Sequence, residues 1–152
     1  MVVLSIDVSL HFKEFRDNKQ RIEECVYLVK ELESSMYNVR AVNFNKMPSG
    51  TTPYIDSKPI MIKQKDDLIE KIDILKAYGE KLEKKHISEI KQIDDDKSRR
   101  VLRMYYIDCL RVEDIADMME CSIDHVYKLK RIADRNFIKI INDRKCTSND
   151  CC

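Results

Sequence analysis

The 152-residue chain has only two glycines, three prolines and no tryptophan. So few turn-forming residues exclude an architecture of many short strands and leave long stretches free to coil as helix. No run of about 18 apolar residues occurs, so no segment qualifies as a membrane span. The first ten residues, interrupted by Asp7, are too short for a secretory core. There is no Gly-rich phosphate loop, no H-E-x-x-H motif and no nucleophile elbow, and the three histidines, His11, His86 and His125, are scattered. A non-enzyme is expected, with no catalytic residues, no cofactor and no metal ligands. Six cysteines form no C-x-x-C pair. Cys25, Cys109 and Cys121 fall at apolar phases and are expected as small core residues, whereas Cys146, Cys151 and Cys152 lie in a polar tail. Unpaired thiols without a leader point to a reducing cytoplasm and no membrane partner.

What the chain has in abundance is charge of both signs, 36% of residues, which suits long solvated helices. The net charge of +1 conceals an asymmetry: residues 97–145 carry 12 Lys/Arg against 8 Asp/Glu, while residues 1–96 carry 16 against 18. The basic excess therefore belongs to the C-terminal third, where a polyanionic partner would be attracted.

Residues 19–42 place Ile22, Cys25, Val29, Leu32, Met36 and Val39 at alternating steps of three and four, a heptad-like stripe. Residues 66–93 repeat the pattern with Leu68, Ile72, Leu75, Leu82 and Ile93, broadened by Ile69, Ile87 and Ile90 and interrupted by Gly79. Antiparallel packing of the two hides both stripes, within one chain or across a homodimer. Between them, residues 45–64 hold all three prolines and read as a loop, in which Tyr54 and Ile55, with Pro59 to Ile62, are expected to form a short extended patch. Asp94, Asp95 and Asp96 mark the start of another helix, where acidic side chains meet the positive end of the dipole. The expected organisation is a helical hairpin or oligomerisation part at 1–96, a second domain at 97–145 and a flexible tail at 146–152.

That second domain carries the most specific pattern. Val112 to Met119 and Ile123 to Arg131 read as two short helices joined by a tight turn. A close crossing requires a small side chain on the first helix, supplied by Ala116 between Ile115 and Met119; the second returns Val126 and Leu129 on one face. Ser122 is suited to cap the second helix. Its outer face then carries Ile123, Asp124, Tyr127, Lys128 and Arg131, with His125 at the margin. Lys and Arg can donate to guanine, Asp can accept from cytosine, and Ile123 can touch a thymine methyl. Lys130, Arg135 and Lys139 lie further along or to the side and suit phosphate contacts. The expected DNA-binding set is thus Ser122, Ile123, Asp124, His125, Tyr127, Lys128, Lys130, Arg131 and Arg135, and the partner is double-stranded DNA.

From Leu102 to Phe137 the sequence resembles the helix-turn-helix of bacterial sigma factor region 4. The whole layout is similar to phage-encoded late transcriptional regulators of the ArpU and RinA type. Sigma-like units usually place Gly at the first turn, Ser or Thr as the next cap and Gly at the second turn; this chain has Cys109, Arg111 and Glu120 there. The resemblance implies an all-α fold, long N-terminal helices followed by a sigma region 4-like helix-turn-helix. It also implies a sequence-specific regulator, a phage or prophage late-gene activator in a bacterial host cell, whose N-terminal helices set dimer geometry or touch RNA polymerase. Two alternatives are a phage DNA-packaging small subunit and a sigma-like adaptor acting through polymerase without DNA specificity of its own.

Overall fold

The structure, a computed structural model, describes residues 7–42 and 57–149. The fold is all-α: the described residues form α1 (Val8–His11), α2 (Lys13–Val42), α3 (Lys58–Ile90), α4 (Asp96–Leu102), a π-helical segment (Arg103–Ile107), α5 (Val112–Met118) and α6 (Ile123–Asn149), with no strand among them. None of these helices is long and apolar enough to cross a membrane. Two compact units are distinguished, one from the residues up to Asp17 together with those from Gly79 onward, the other from Asn18 to Tyr78.

The Asn18–Tyr78 unit is an antiparallel pair of helices. Asn18 Nδ2 donates to the Leu75 carbonyl at 3.0 Å near one end, and Lys65 pairs with Glu33 at 2.7 Å towards the other. Ile22, Cys25, Val29, Leu32 and Met36 are sheltered along α2, as the heptad spacing predicts, and Asn18, Val26 and Glu33 outside that stripe are sheltered as well, while Val39 has no described side chain. Within this unit Leu68, Ile72 and Leu75 are sheltered on α3, as are Met61 and Lys65 nearer its start. The pair hides little: Tyr27, Leu28, Ile69, Ile74 and Tyr78 remain at least 40% exposed.

One expectation is corrected here. Pro59 to Ile62 are helical, because α3 begins at Lys58 and Pro59 falls within its first turn. A proline there lacks only an N–H that would have no intrahelical acceptor, and its fixed φ already suits the helix. The rest of the expected loop from residue 45 to 56 lies outside the described residues.

The other unit has a continuous aromatic and aliphatic core. Val8, Phe12 and Phe15 from the start of the chain meet Leu82, Ile90 and Ile93, then Leu102, Tyr106 and Ile107, then Ala133, Phe137 and Ile141 of α6. Phe12 stacks on Tyr106 with ring centroids 4.6 Å apart. A stretch of about 45 residues is too short to bury a generous core alone; the N-terminal turn and the end of α3 complete it. Asp95 caps α4, accepting from Ser98 N at 3.0 Å, which is the role the acidic run predicts. Those hydrogen bonds from Ser98 hold the Asp95 carboxyl below its usual range.

Candidate nucleic-acid interface

The crossing of α5 and α6 is built around small volumes. Ala116 is 4% exposed, Ile115 and Val126 are sealed beside it, and Leu129 is buried one turn further along α6. Met104, Tyr105, Leu110, Met119 and Cys121 close the edges of this second core. Because Val126 and Leu129 consume the inner face, the residues between them must point outward.

The turn between the helices is set by backbone geometry. Glu120 has φ 52°, Cys121 N donates to the Ala116 carbonyl at 3.0 Å and Glu120 N to Asp117 at 3.2 Å. This is a Schellman termination, which places one left-handed residue just past the helix end. The turn before α5 has the same feature at Cys109, φ 55°. There the closing bond reaches one residue further back, from Leu110 N to the Met104 carbonyl at 3.0 Å, because the preceding coil is π-helical. Arg111 then occupies the N-cap of α5 without a side-chain cap bond. Cys109 and Glu120 thus hold left-handed backbone that favours Gly, and Arg111 stands at an N-cap where a hydroxyl would ordinarily accept. Cys109 is exposed, so the expectation of a core thiol there is corrected: left-handed backbone swings its Cβ outward. Cys25 is buried, and Cys121 is half-buried at the turn.

Ser122 caps α6, its Oγ accepting from His125 N at 3.2 Å. Ile123, Asp124, His125, Tyr127, Lys128 and Arg131 are all exposed, with Ile123 at 44% and Tyr127 at 47% despite their apolar bulk. Arg135 and Lys139 are exposed two and three turns beyond Lys128. Steps of three and four keep Lys128, Arg131, Arg135 and Lys139 in one stripe about 16 Å long at 1.5 Å per residue. Among the described residues, Lys128, Arg131 and Arg135 enter no ion pair. Nor is α6 short: it continues through Asn149, so residues 146–149, expected in a tail, are helical.

Lys130 sits differently. Its ammonium lies 2.9 Å from Asp134 Oδ2, donates to Tyr106 Oη at 3.1 Å and stands 4.7 Å from the centroid of the Tyr105 ring. Burial works against that charge, but the bonds to Asp134 and Tyr106 outweigh it and hold Lys130 above its usual range. Burial pushes the Tyr106 phenol up as well. Lys130 therefore braces α6 against the π-helical segment, with its charge matched locally.

Sequence reasoning missed a second cluster in this unit. His11 Nε2 and His86 Nδ1 lie 2.8 Å and 3.1 Å from the same oxygen, Glu89 Oε2. Glu89 Oε1 faces Arg144 Nη1 at 3.7 Å. Burial opposes the charged Glu89 carboxylate, yet hydrogen bonds from His11 and His86 prevail and hold it below its usual range. His86 is pushed down by burial, with Glu89 opposing. Only the i, i+3 pair His86 and Glu89 could have been found in the sequence; His11 joins them through the fold.

Residues 60–137, just over half of the chain, match the model of a family described as a protein of unknown function, DUF1492. The chain belongs to the DUF1492 family. No curated protein and no solved structure matches it. The DUF1492 match runs from the first turn of α3 through both positive-φ turns to Phe137, and so contains the α5–α6 crossing and the exposed face of α6 up to Arg135.

Proposed function

We propose that this chain is a sequence-specific DNA-binding transcriptional regulator that lays the first turns of α6 in the major groove. The observation that carries the reading is the division of labour on α6. Val126 and Leu129 seal against Ala116 and Ile115, while Ile123, Asp124, Tyr127, Lys128 and Arg131 stand exposed on a capped, regular helix. A major groove admits one such helix, and these side chains supply donors, an acceptor and an apolar tip for base edges. Arg135 and Lys139 continue the stripe where the helix leaves the groove and suit phosphates. The left-handed turns at Cys109 and Glu120 support the sigma region 4-like register and, with the layout of long helices before it, a phage late-gene regulator of the ArpU and RinA type.

The working form in this reading is a homodimer. A two-helix unit whose described residues include eight large hydrophobic side chains at least 40% exposed gains a core by pairing with a second copy as a four-helix bundle. Two half-sites also double a modest basic excess. Titrating labelled duplex DNA across a salt series tests the proposal. Affinity is expected to fall steeply as salt rises, with log K linear in log salt. An affinity that salt leaves unchanged would favour an adaptor that contacts protein alone.

A further inference from the structure

We propose that His11, His86 and Glu89 form a binding site for a divalent transition metal of the zinc type, independent of the DNA-binding face. Their ligand atoms all lie within 4.8 Å of one another, with both imidazole nitrogens already converging on Glu89 Oε2 at 2.8 and 3.1 Å. Zinc bonds to nitrogen and carboxylate oxygen are about 2.0–2.2 Å, which sets neighbouring ligands in a tetrahedron roughly 3.3 Å apart. The two nitrogen–oxygen gaps therefore need to open by only a few tenths of an Å. Each imidazole needs only its other tautomer to present a lone pair instead of a proton. Two imidazoles with one carboxylate suit zinc and its neighbours in the first transition row, whereas calcium and magnesium seek oxygen alone.

The surroundings match such a site. The Glu89 and His86 side chains are 5% and 3% exposed, so a bound ion would be shielded from water on their side. His11 is 20% exposed, leaving an opening for a fourth ligand such as water. The rings of Phe12, Phe15 and Phe137 pack against the two imidazoles and limit their rotation. Arg144 approaches the other oxygen, Oε1, where it orients the carboxylate as an outer partner, and its Nε donates to Gln92. A metal here would tie α1 to α3, fastening the Phe12 turn onto the core that holds α6.

The test uses the full chain carrying Cys146→Ser, Cys151→Ser and Cys152→Ser, so that tail thiols cannot supply ligands. Zinc titrated by calorimetry into the chelator-treated protein should bind at one ion per chain and raise the thermal midpoint. Cobalt should give visible bands of a low-symmetry site without a thiolate band in the near ultraviolet. His11→Gln keeps an amide donor for Glu89, preserving the hydrogen bond, but should weaken zinc by more than the roughly 10- to 100-fold typical of losing an outer partner. Glu89→Gln should weaken it likewise. Absence of one-to-one zinc binding in that titration overturns the site, as does binding that His11→Gln leaves intact.

Discussion

Glu120 and Cys109 hold left-handed backbone at φ 52° and 55°, positions that cost a side chain with a Cβ about 1–2 kcal/mol. Glu120→Gly removes that strain while adding about 0.5–1 kcal/mol of unfolded-state entropy, so a net stabilisation of up to about 1.5 kcal/mol is expected. Urea unfolding followed by circular dichroism measures it; a lowered midpoint would show that the Glu120 side chain contributes something the turn geometry does not. On the exposed face, residues that look alike in sequence separate by environment. Lys128 has an open ammonium, but Lys130 is tied to Asp134 and Tyr106. The i, i+4 spacing of Lys130 and Asp134 is visible in the sequence, whereas Tyr106, 24 positions away on the π-helical segment, leaves no mark in local spacing.

At the scale of elements, periodicity carried most of the information. Steps of three and four located α2, most of α3 and the α5–α6 pair, because a helix that buries one face must repeat its apolar residues at that interval. Prolines misled at the start of α3, where Pro59 sits at a position that tolerates it. The His11–Glu89 contact was not legible, as it joins residues 78 positions apart through tertiary packing. The crossing makes a direct prediction. Ala116→Leu inserts volume where 4% of the surface is open, and should destabilise by about 1–3 kcal/mol through overpacking. An unchanged unfolding midpoint would mean that α5 and α6 are not held at that point.

At the scale of the whole molecule, a basic C-terminal third is joined to helices that leave apolar surface uncovered. In the proposed dimer, Leu28 lies in or beside the interface, and Leu28→Glu should shift sedimentation equilibrium from dimer towards monomer. A wild-type chain that sediments as a monomer at all concentrations would remove the bundle from the account. The central claim, that the outward side of α6 reads bases, is tested most directly by comparing duplexes. Wild type, Lys128→Ala and Lys139→Ala are each titrated with a duplex selected from a random pool and with a scrambled one. Lys128→Ala is predicted to lose about 1–3 kcal/mol on the selected duplex and little on the scrambled one, while Lys139→Ala weakens both alike. Equal affinity of the wild type for the two duplexes, or full retention of its preference in Lys128→Ala, would contradict the assignment.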